Sequence, residues 1–353
     1  MPSVEVIVVT WNHRYFVERL FDGLRATDYP KDSWTVHIVD NASKDGTGEA
    51  VRQCIAGLPE GFPTVHFTAM DHNSGFAEGN NVVMRHTNAD YVYLLNPDAS
   101  FEPETLRRAV EAAEKNPNAA SVQSFLILMQ SPGLINSVGN DIHFAGHGYC
   151  RGYKQPVSSA PKDITPIIYA SGAGSLYRMS VLKRIGFFDE TLFAYHEDLE
   201  MGWRMLLAGY DNLLAPSSVL LHHYEFSRSV KKWYLMERNR GIVILTMYKI
   251  PTIVILLPGL FAIELATWLF AIKGGWIRDK AKAVGWFFIP SSIAYLLRKR
   301  REMKRIRTRK DREILARFVF GIEHQDADPW FMRRIANPLM KIYYKIVKAI
   351  VRW

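Results

Sequence analysis

The stretch Tyr91-Val92-Tyr93-Leu94-Leu95-Asn96-Pro97-Asp98 decides how this 353-residue chain is read. Its first five residues are aromatic, β-branched or aliphatic, the composition of a buried strand. Pro97 has no amide N–H and cannot continue a central strand, so the strand ends there. Asp98 then falls on the loop at the strand's carboxyl end, where ligands collect in open α/β sheets. A carboxylate in that place, with the Asn96 amide beside it, suits a hard divalent cation and the phosphates such a cation carries. The same residues also suit an Asx-Pro turn whose aspartate caps a helix opening near Pro103.

The flanking sequence repeats the pattern. Residues 4–9 read as a buried strand followed by Thr10-Trp11-Asn12, and a helical pattern over 13–25 places Phe16, Leu20, Phe21 and Leu24 on one face. Further strands are expected over 35–39, 65–68 and 120–126, and further helices after Gly46, after Asn73 and from Pro103. Strands alternating with helices imply a parallel sheet covered on both faces. Polar loops recur at strand carboxyl ends: Thr10 to Asn12, Asp40 to Ser43, Asn96 to Asp98. No Gly-x-Gly-x-x-Gly follows the first strand and no Gly-Lys-Ser/Thr loop occurs, which argues against a dinucleotide dehydrogenase and a P-loop NTPase.

Residues 130–166 are rich in Gly, Pro and Ser, as a binding segment or flap would be. Gly172, Ala173 and Gly174 then offer close backbone approach to a ligand, or simply a turn between two short strands. In His196-Glu197-Asp198-Leu199-Glu200, two adjacent carboxylates open a helix. They suit the helix dipole, and equally a general base aimed into a cleft. Arg204 could pair with one of them or with a phosphate. His222 and His223 end a short apolar strand. One of them, beside Asp98, would complete an oxygen and nitrogen ligand set fit for manganese or magnesium.

Charge divides the chain. Residues 1–225 hold 17 Lys/Arg against 26 Asp/Glu, whereas residues 226–353 hold 27 against 9. An acidic front and a basic rear imply two units facing different partners. Two cysteines make no disulfide framework and fit a cytoplasmic chain. The start carries no basic n-region or cleavage site, so no signal peptide is expected. Residues 251–272 form an apolar run about long enough to span a bilayer, roughly 20 residues. Glu264 lies inside it, Pro258-Gly259 is expected to break it, and both flanks are basic. A broken, re-entrant or interfacial helix, or a hairpin with residues 284–297, is therefore expected over a single crossing. The basic stretch 298–312 suits anionic lipid headgroups, or a lipid diphosphate, better than nucleic acid, given the apolar neighbour. Residues 338–353 read as an in-plane amphipathic helix.

Taken together, Val8-Val9-Thr10-Trp11-Asn12, Val39-Asp40-Asn41-Ala42-Ser43 with Asp45-Gly46-Thr47, Asn73-Ser74-Gly75-Phe76 with Gly79-Asn80, Leu95-Asn96-Pro97-Asp98, His196-Glu197-Asp198 with Arg204, and His222-His223-Tyr224-Glu225-Phe226-Ser227 carry a resemblance over roughly residues 3–240. The chain resembles the family-two nucleotide-sugar glycosyltransferases, most of all the bacterial branch with rhamnosyltransferases of cell-surface polysaccharide assembly. The resemblance implies the GT-A fold, an α/β Rossmann-like and mostly parallel sheet over residues 1–240. A basic, helical membrane-association region is expected over 241–353.

Thr10, Asn12, Asp40 and Asn41 would hold the donor nucleoside, and Asn73, Gly75, Phe76, Asn80 and Asn96 would line its cleft. Asp98 and His222 would bind Mn2+ or Mg2+, Asp198 would be the base and Glu197 its helper. Gly172, Ala173, Gly174, Arg204, His223 and Arg228 would meet acceptor or phosphate. The family's metal motif has two carboxylates flanking one residue; here Asn96 replaces the first, so fewer charged ligands hold the cation.

The implied reaction is inverting transfer of rhamnose or another hexose to a hydroxyl of a lipid-linked saccharide. The donor would be dTDP-rhamnose, or a UDP- or GDP-sugar. The expected location is the cytoplasmic face of the cell membrane, monotopic or peripheral, in a possible homo-oligomer. The alternatives are a polyprenyl-phosphate sugar synthase and, outside enzymes, a membrane adaptor or nucleic-acid-binding protein retaining a nucleotide fold.

Overall fold

The structure is a computed structural model that describes residues 1–224, 232–321, 330 and 332–353. Arg228 and the Glu225-Phe226-Ser227 part of the last motif lie outside the described residues. The chain divides into two compact units, one of residues 1–140, 150–202 and 210–226, the other of 141–149, 203–209 and 227–353.

The first unit is a ten-stranded sheet. The alternating apolar segments become β1 (Val4–Thr10), α1 (Val17–Ala26), β2 (Trp34–Asp40), α2 (Thr47–Ala56), β3 (Val65–Ala69), α3 (Gly75–Met84) and β4 (Tyr91–Leu95). All five residues of β4 are buried, as the composition requires. After Pro97 come β5 (Ala99–Phe101), α4 (Thr105–Lys115) and β6 (Ala119–Leu128). β1 pairs in parallel with β2 and β4, and β2 with β3.

The loop-rich segment contains β7 (Ile135–Ser137), a small ribbon of β8 (Asn140–Ile142) and β9 (Gly148–Cys150), and then β10 (Thr165–Ile167). The glycine-rich segment leads into β11 (Gly174–Arg178), which runs antiparallel between β4 and β6. The sheet is thus mixed at its centre, with one antiparallel strand set into the mostly parallel arrangement that was expected. A Cβ on Gly174 would come within 2.2 Å of Leu220, so glycine lets the strand pass at this depth. α5 (Met179–Ile185), α6 (Glu197–Leu207) and β12 (Asp211–His222) follow, with β12 parallel to β6 and antiparallel to β10 and β5. The polar loops after β1, β2 and β4 therefore share one edge of the sheet.

The second unit is helical: α7 (Lys232–Met247), α8 (Ile250–Lys273), α9 (Ile277–Trp286), α10 (Pro290–Ile306), α11 (Asp311–Arg317) and α12 (Asn337–Ile350). Trp203 packs edge-on against Tyr248 and Phe318. Buried Arg240 joins Glu237 and Glu264, and Lys280 joins the same two carboxylates. Burial would raise the Glu237 carboxyl, but Arg240 and Lys280 hold it at about 2.

Two expectations fail here. Pro258 does not break α8, which continues for 24 residues. A proline forfeits one helical hydrogen bond, here the one to the Val254 carbonyl, and crowds the preceding turn; the Tyr343 hydroxyl donates to the neighbouring Ile255 carbonyl at 2.9 Å, and Gly259 leaves room for the same ring. Residues 284–297 do not form one hairpin arm, because the chain turns between α9 and α10 at Pro290.

Candidate active site

The loops after β1 and β2 are tied to each other. Asn12 adopts a left-handed backbone, φ +58°, which asparagine tolerates better than most residues. Its N–H donates to Ser43 Oγ at 2.8 Å and its side-chain oxygen accepts from Lys44 N at 2.8 Å. Asp40 is buried and accepts from the Ser43 N–H and hydroxyl. Thr10 is buried beside it at the strand end.

The loop before α3 is tied in turn. Asn41 donates to the Gly75 carbonyl at 3.0 Å and accepts from Ser74 Oγ at 3.0 Å, and Asn73 accepts from Gly75 N at 2.9 Å. Gly75 has φ +85° and passes within contact of Phe193, where a Cβ would clash. Asn80 donates to the Phe76 carbonyl one turn back at 2.8 Å. Asn41 and Asn80 thus spend their amide N–H groups on backbone, which orders the loop.

Asn96 N donates to the Ala173 carbonyl at 3.0 Å, so the loop after β4 lies against the Gly172–Gly174 segment. Gly172 packs on the Phe76 ring, and its N–H points at Asp198 Oδ2, 3.3 Å away. Asp198 Oδ1 accepts from Leu199 N at 2.7 Å. Phe193, Tyr195 and His196, just before α6, all have positive φ, between 64° and 68°. Left-handed backbone at three non-glycine residues in four is a strained arrangement, of the kind that clusters at functional sites.

Glu197 is buried and Asp198 half-buried. Burial pushes the Asp198 carboxyl up to about 6. Burial, and then the neighbouring Asp198 charge, hold Glu197 well above the usual carboxylate range. Both carboxyls are thus held above the ordinary carboxylate range, and the two titrate as a pair at the start of α6.

Across the same sheet edge His222 Nε2 lies 3.4 Å from Asp98 Oδ1, and His222 Nδ1 lies 2.8 Å from Asn136 Oδ1. Asn136 engages Nδ1 and leaves Nε2 to face the carboxylate oxygen. Two electron-rich atoms so placed suit a cation shared between them, and the Asn136 contact is the outer support a ligating imidazole takes. The donor set therefore fits Mn2+ or Mg2+. Among the described residues no cluster of three His, Cys, Asp or Glu side chains is formed, so further ligands would have to be phosphate oxygens and water. His223 N donates to the Asp98 carbonyl at 2.9 Å, and its ring packs on Phe16. Arg204 is buried and belongs to the second unit.

Sequence reasoning did not single out Asn136, Cys150, Tyr153 or Tyr224. Tyr224 packs edge-on against Tyr153, and its carbonyl accepts from Gln130. Burial, with Asp198 and Tyr224 nearby, surrounds Cys150, whose thiol is pushed up to about 12 by that burial first and by Asp198 second. Asn136, Cys150 and Tyr153 come from the loop-rich segment, whose short strands leave no periodic signal, whereas Tyr224 follows β12 within the quoted motif of residues 222–227.

A family model described as glycosyl transferase family 2 matches residues 5–186. The chain is similar to N-acetylglucosaminyl-diphospho-decaprenol L-rhamnosyltransferase of Mycobacterium tuberculosis, at 26% identity over 242 residues that cover 62% of this chain and 75% of that protein. It is similar to rhamnosyltransferase WbbL of Escherichia coli at 24% identity, covering 67% of this chain and 91% of that one. Among solved structures, GalNAc-T7 with UDP, GalNAc and Mn2+ superposes with a TM-score of 0.58 at 12% identity over 70% of this chain, which spans about half (48%) of that one. The mannosyltransferase PcManGT of Pyrobaculum calidifontis, with GDP-Man and Mn2+, superposes with a TM-score of 0.51 at 18% identity, covering 100% of this chain and 88% of that chain. These structural likenesses carry the fold.

Proposed function

The chain belongs to glycosyl transferase family 2, and from that premise we propose an inverting, metal-dependent transfer of a hexose, rhamnose for preference, to a hydroxyl of a lipid-linked saccharide in surface-glycan assembly. The chain is a glycosyltransferase. The donor in this reading is dTDP-rhamnose or another nucleoside diphosphate sugar. Asp40, Asn12 and Thr10 grip its nucleoside, Asn73, Phe76 and Asn96 line its cleft, and Gly172 to Gly174 pass the diphosphate with backbone alone. Asp98 and His222 hold the divalent cation, which supplies positive charge against the leaving diphosphate when bound.

Asp198 takes the proton from the acceptor hydroxyl as its oxygen attacks the anomeric carbon. The bond to the diphosphate oxygen breaks on the opposite face, so configuration inverts. Glu197, its carboxyl raised by burial and by the neighbouring Asp198, is the helper that orients Asp198 or the acceptor. His223, Arg204 and Arg228 are assigned to acceptor or phosphate in the same reading.

One juxtaposition supports it above all: the Gly172–Gly174 segment touches both the Asn96 loop and Asp198. Residues 241–353, basic and apolar by turns, hold the enzyme at the cytoplasmic membrane face, monotopic or peripheral, where tethering raises the concentration of a lipid-linked acceptor. A thermal-shift screen of nucleoside diphosphates with manganese or magnesium is the test, followed by transfer assays on a lipid-diphosphate saccharide and a lipid phosphate. Metal-dependent stabilisation by one diphosphate and transfer to the saccharide are expected. Transfer to the lipid phosphate alone would replace the acceptor assignment with that of a polyprenyl-phosphate sugar synthase.

A further inference from the structure

The second unit leaves two apolar helix faces open. On α8, Val254, Leu257, Phe261, Leu265 and Leu269 recur at three- and four-residue spacing, with Phe261 65% and Leu269 68% exposed. On α12, Leu339, Ile342, Ile346 and Ile350 do the same, with Leu339 62% exposed. The opposite faces are buried: Thr252, Leu256 and Ala271 on α8, Tyr344 and Val347 on α12. Runs of exposed aliphatics this long do not occur singly on a water-facing surface and mark an interaction site.

The two helices are fixed to each other. The Tyr343 hydroxyl donates to the Ile255 carbonyl, and its ring fills the space above Gly259, where a Cβ would come within 2.4 Å.

We propose that α8 and α12 lie together in the plane of one anionic lipid leaflet, dipping their open faces into it and crossing nothing. The inference rests on the membrane reading above and specifies its topology. Glu264 decides against a crossing. It sits in the middle of α8, and its carboxylate oxygens lie 2.8 Å from Arg240 and 2.7 Å from Lys280. A transbilayer α8 would carry those groups to the hydrocarbon centre, where ionised side chains are least tolerated. An in-plane α8 keeps the ionic side on protein and gives only its apolar side to lipid.

Charge identifies the occupant. Lys341, Lys345 and Lys348 interleave with the apolar residues of α12 and are exposed, as are Lys273 at the end of α8 and Arg278 and Lys282 beyond it. Their stems can reach from an apolar boundary to headgroup height. Anionic headgroups complement that rim, whereas a second copy docking face to face would set lysines against lysines.

The test is flotation of the full chain with vesicles of neutral phosphatidylcholine, with and without roughly a third of phosphatidylglycerol. Flotation with the anionic vesicles, weakened by salt, is expected, and Phe261→Glu with Leu265→Glu should cut the bound fraction roughly tenfold. In addition, Lys249→Cys and Lys273→Cys, at the two ends of α8 and off its open face, should both react with an impermeant maleimide added outside the vesicles, above the background of the native cysteines. Phe261→Cys should be shielded. Reaction at one end only would establish a crossing and overturn the proposal, as would equal reaction at Phe261→Cys with and without vesicles. A lipid-free dimer dissolved by the two Glu substitutions would assign the face to a second copy instead. A donor-induced thermal shift on the same samples separates the two readings: a shift without flotation sinks this inference alone, and flotation without any shift sinks the transferase assignment alone.

Discussion

His222 Nε2 faces Asp98 Oδ1 across 3.4 Å while its other ring nitrogen rests on the side chain of Asn136, 2.8 Å away. The two contacts engage both ring nitrogens of His222; the approach to Asp98 was expected from the sequence, whereas the support from Asn136 was not.

The Asn136 contact sets the first prediction. Asn136→Ala should leave the fold intact but free the imidazole to rotate. Loss of such a support costs roughly 10- to 100-fold in metal affinity. The manganese concentration for half-maximal activity should rise by that factor, with turnover at saturating metal nearly restored. An unchanged metal titration would remove His222 from the ligand set.

The carboxylate pair governs pH dependence. Asp198 must be ionised to accept a proton, and burial pushes it up to about 6. The acid limb of kcat/KM should therefore fall near pH 6, well above an ordinary aspartate. Asp198→Asn should lower turnover roughly 10²- to 10⁴-fold with donor binding kept. A profile flat down to pH 5 would contradict the assignment of Asp198 as base.

Glu197 offers a separable effect. Its folded-state carboxyl is raised, so its contribution to stability is fully present below the unfolded value and is lost as pH rises through the folded one. Gln mimics the protonated form without the cost of protonation. Glu197→Gln should raise Tm by about 2 °C at pH 8, less at pH 5, and keep most of the activity. A fall in Tm at pH 8, or loss of activity equal to that of Asp198→Asn, would show that Glu197 works ionised.

Much of the first unit was legible because its code is local. A fully apolar five-residue run stopped by proline gives β4, and polar residues after each parallel strand give the loops of the site. What was hidden is non-local. β11 is short and led by glycines, and only pairing with both β4 and β6 makes it a central strand. Asn136 reaches His222 across 86 positions of sequence, in a segment without periodicity. Pro258 signals a break by itself, yet α8 runs on through it, beside a Tyr343 hydroxyl that reaches the Ile255 carbonyl from 88 positions away.

Gly172 gives the most demanding test of the site's geometry. Its N–H faces Asp198, and the place of a Cβ is already taken by the Phe76 ring, 2.8 Å away. Gly172→Ala must move either the ring or the backbone that faces Asp198. Displacements of about 1 Å at a reacting centre can cost as much as 10²-fold in rate. The variant should lose roughly 10- to 100-fold in kcat. If the ring moves, KM for the donor should rise; if the backbone moves, the acid limb of the pH profile should shift upward, because Asp198 Oδ2 loses a donor to its ionised form. A variant with wild-type kcat, KM and pH profile would mean that the segment does not position the base, and the link between the Asn96 loop and Asp198 would carry no catalytic weight.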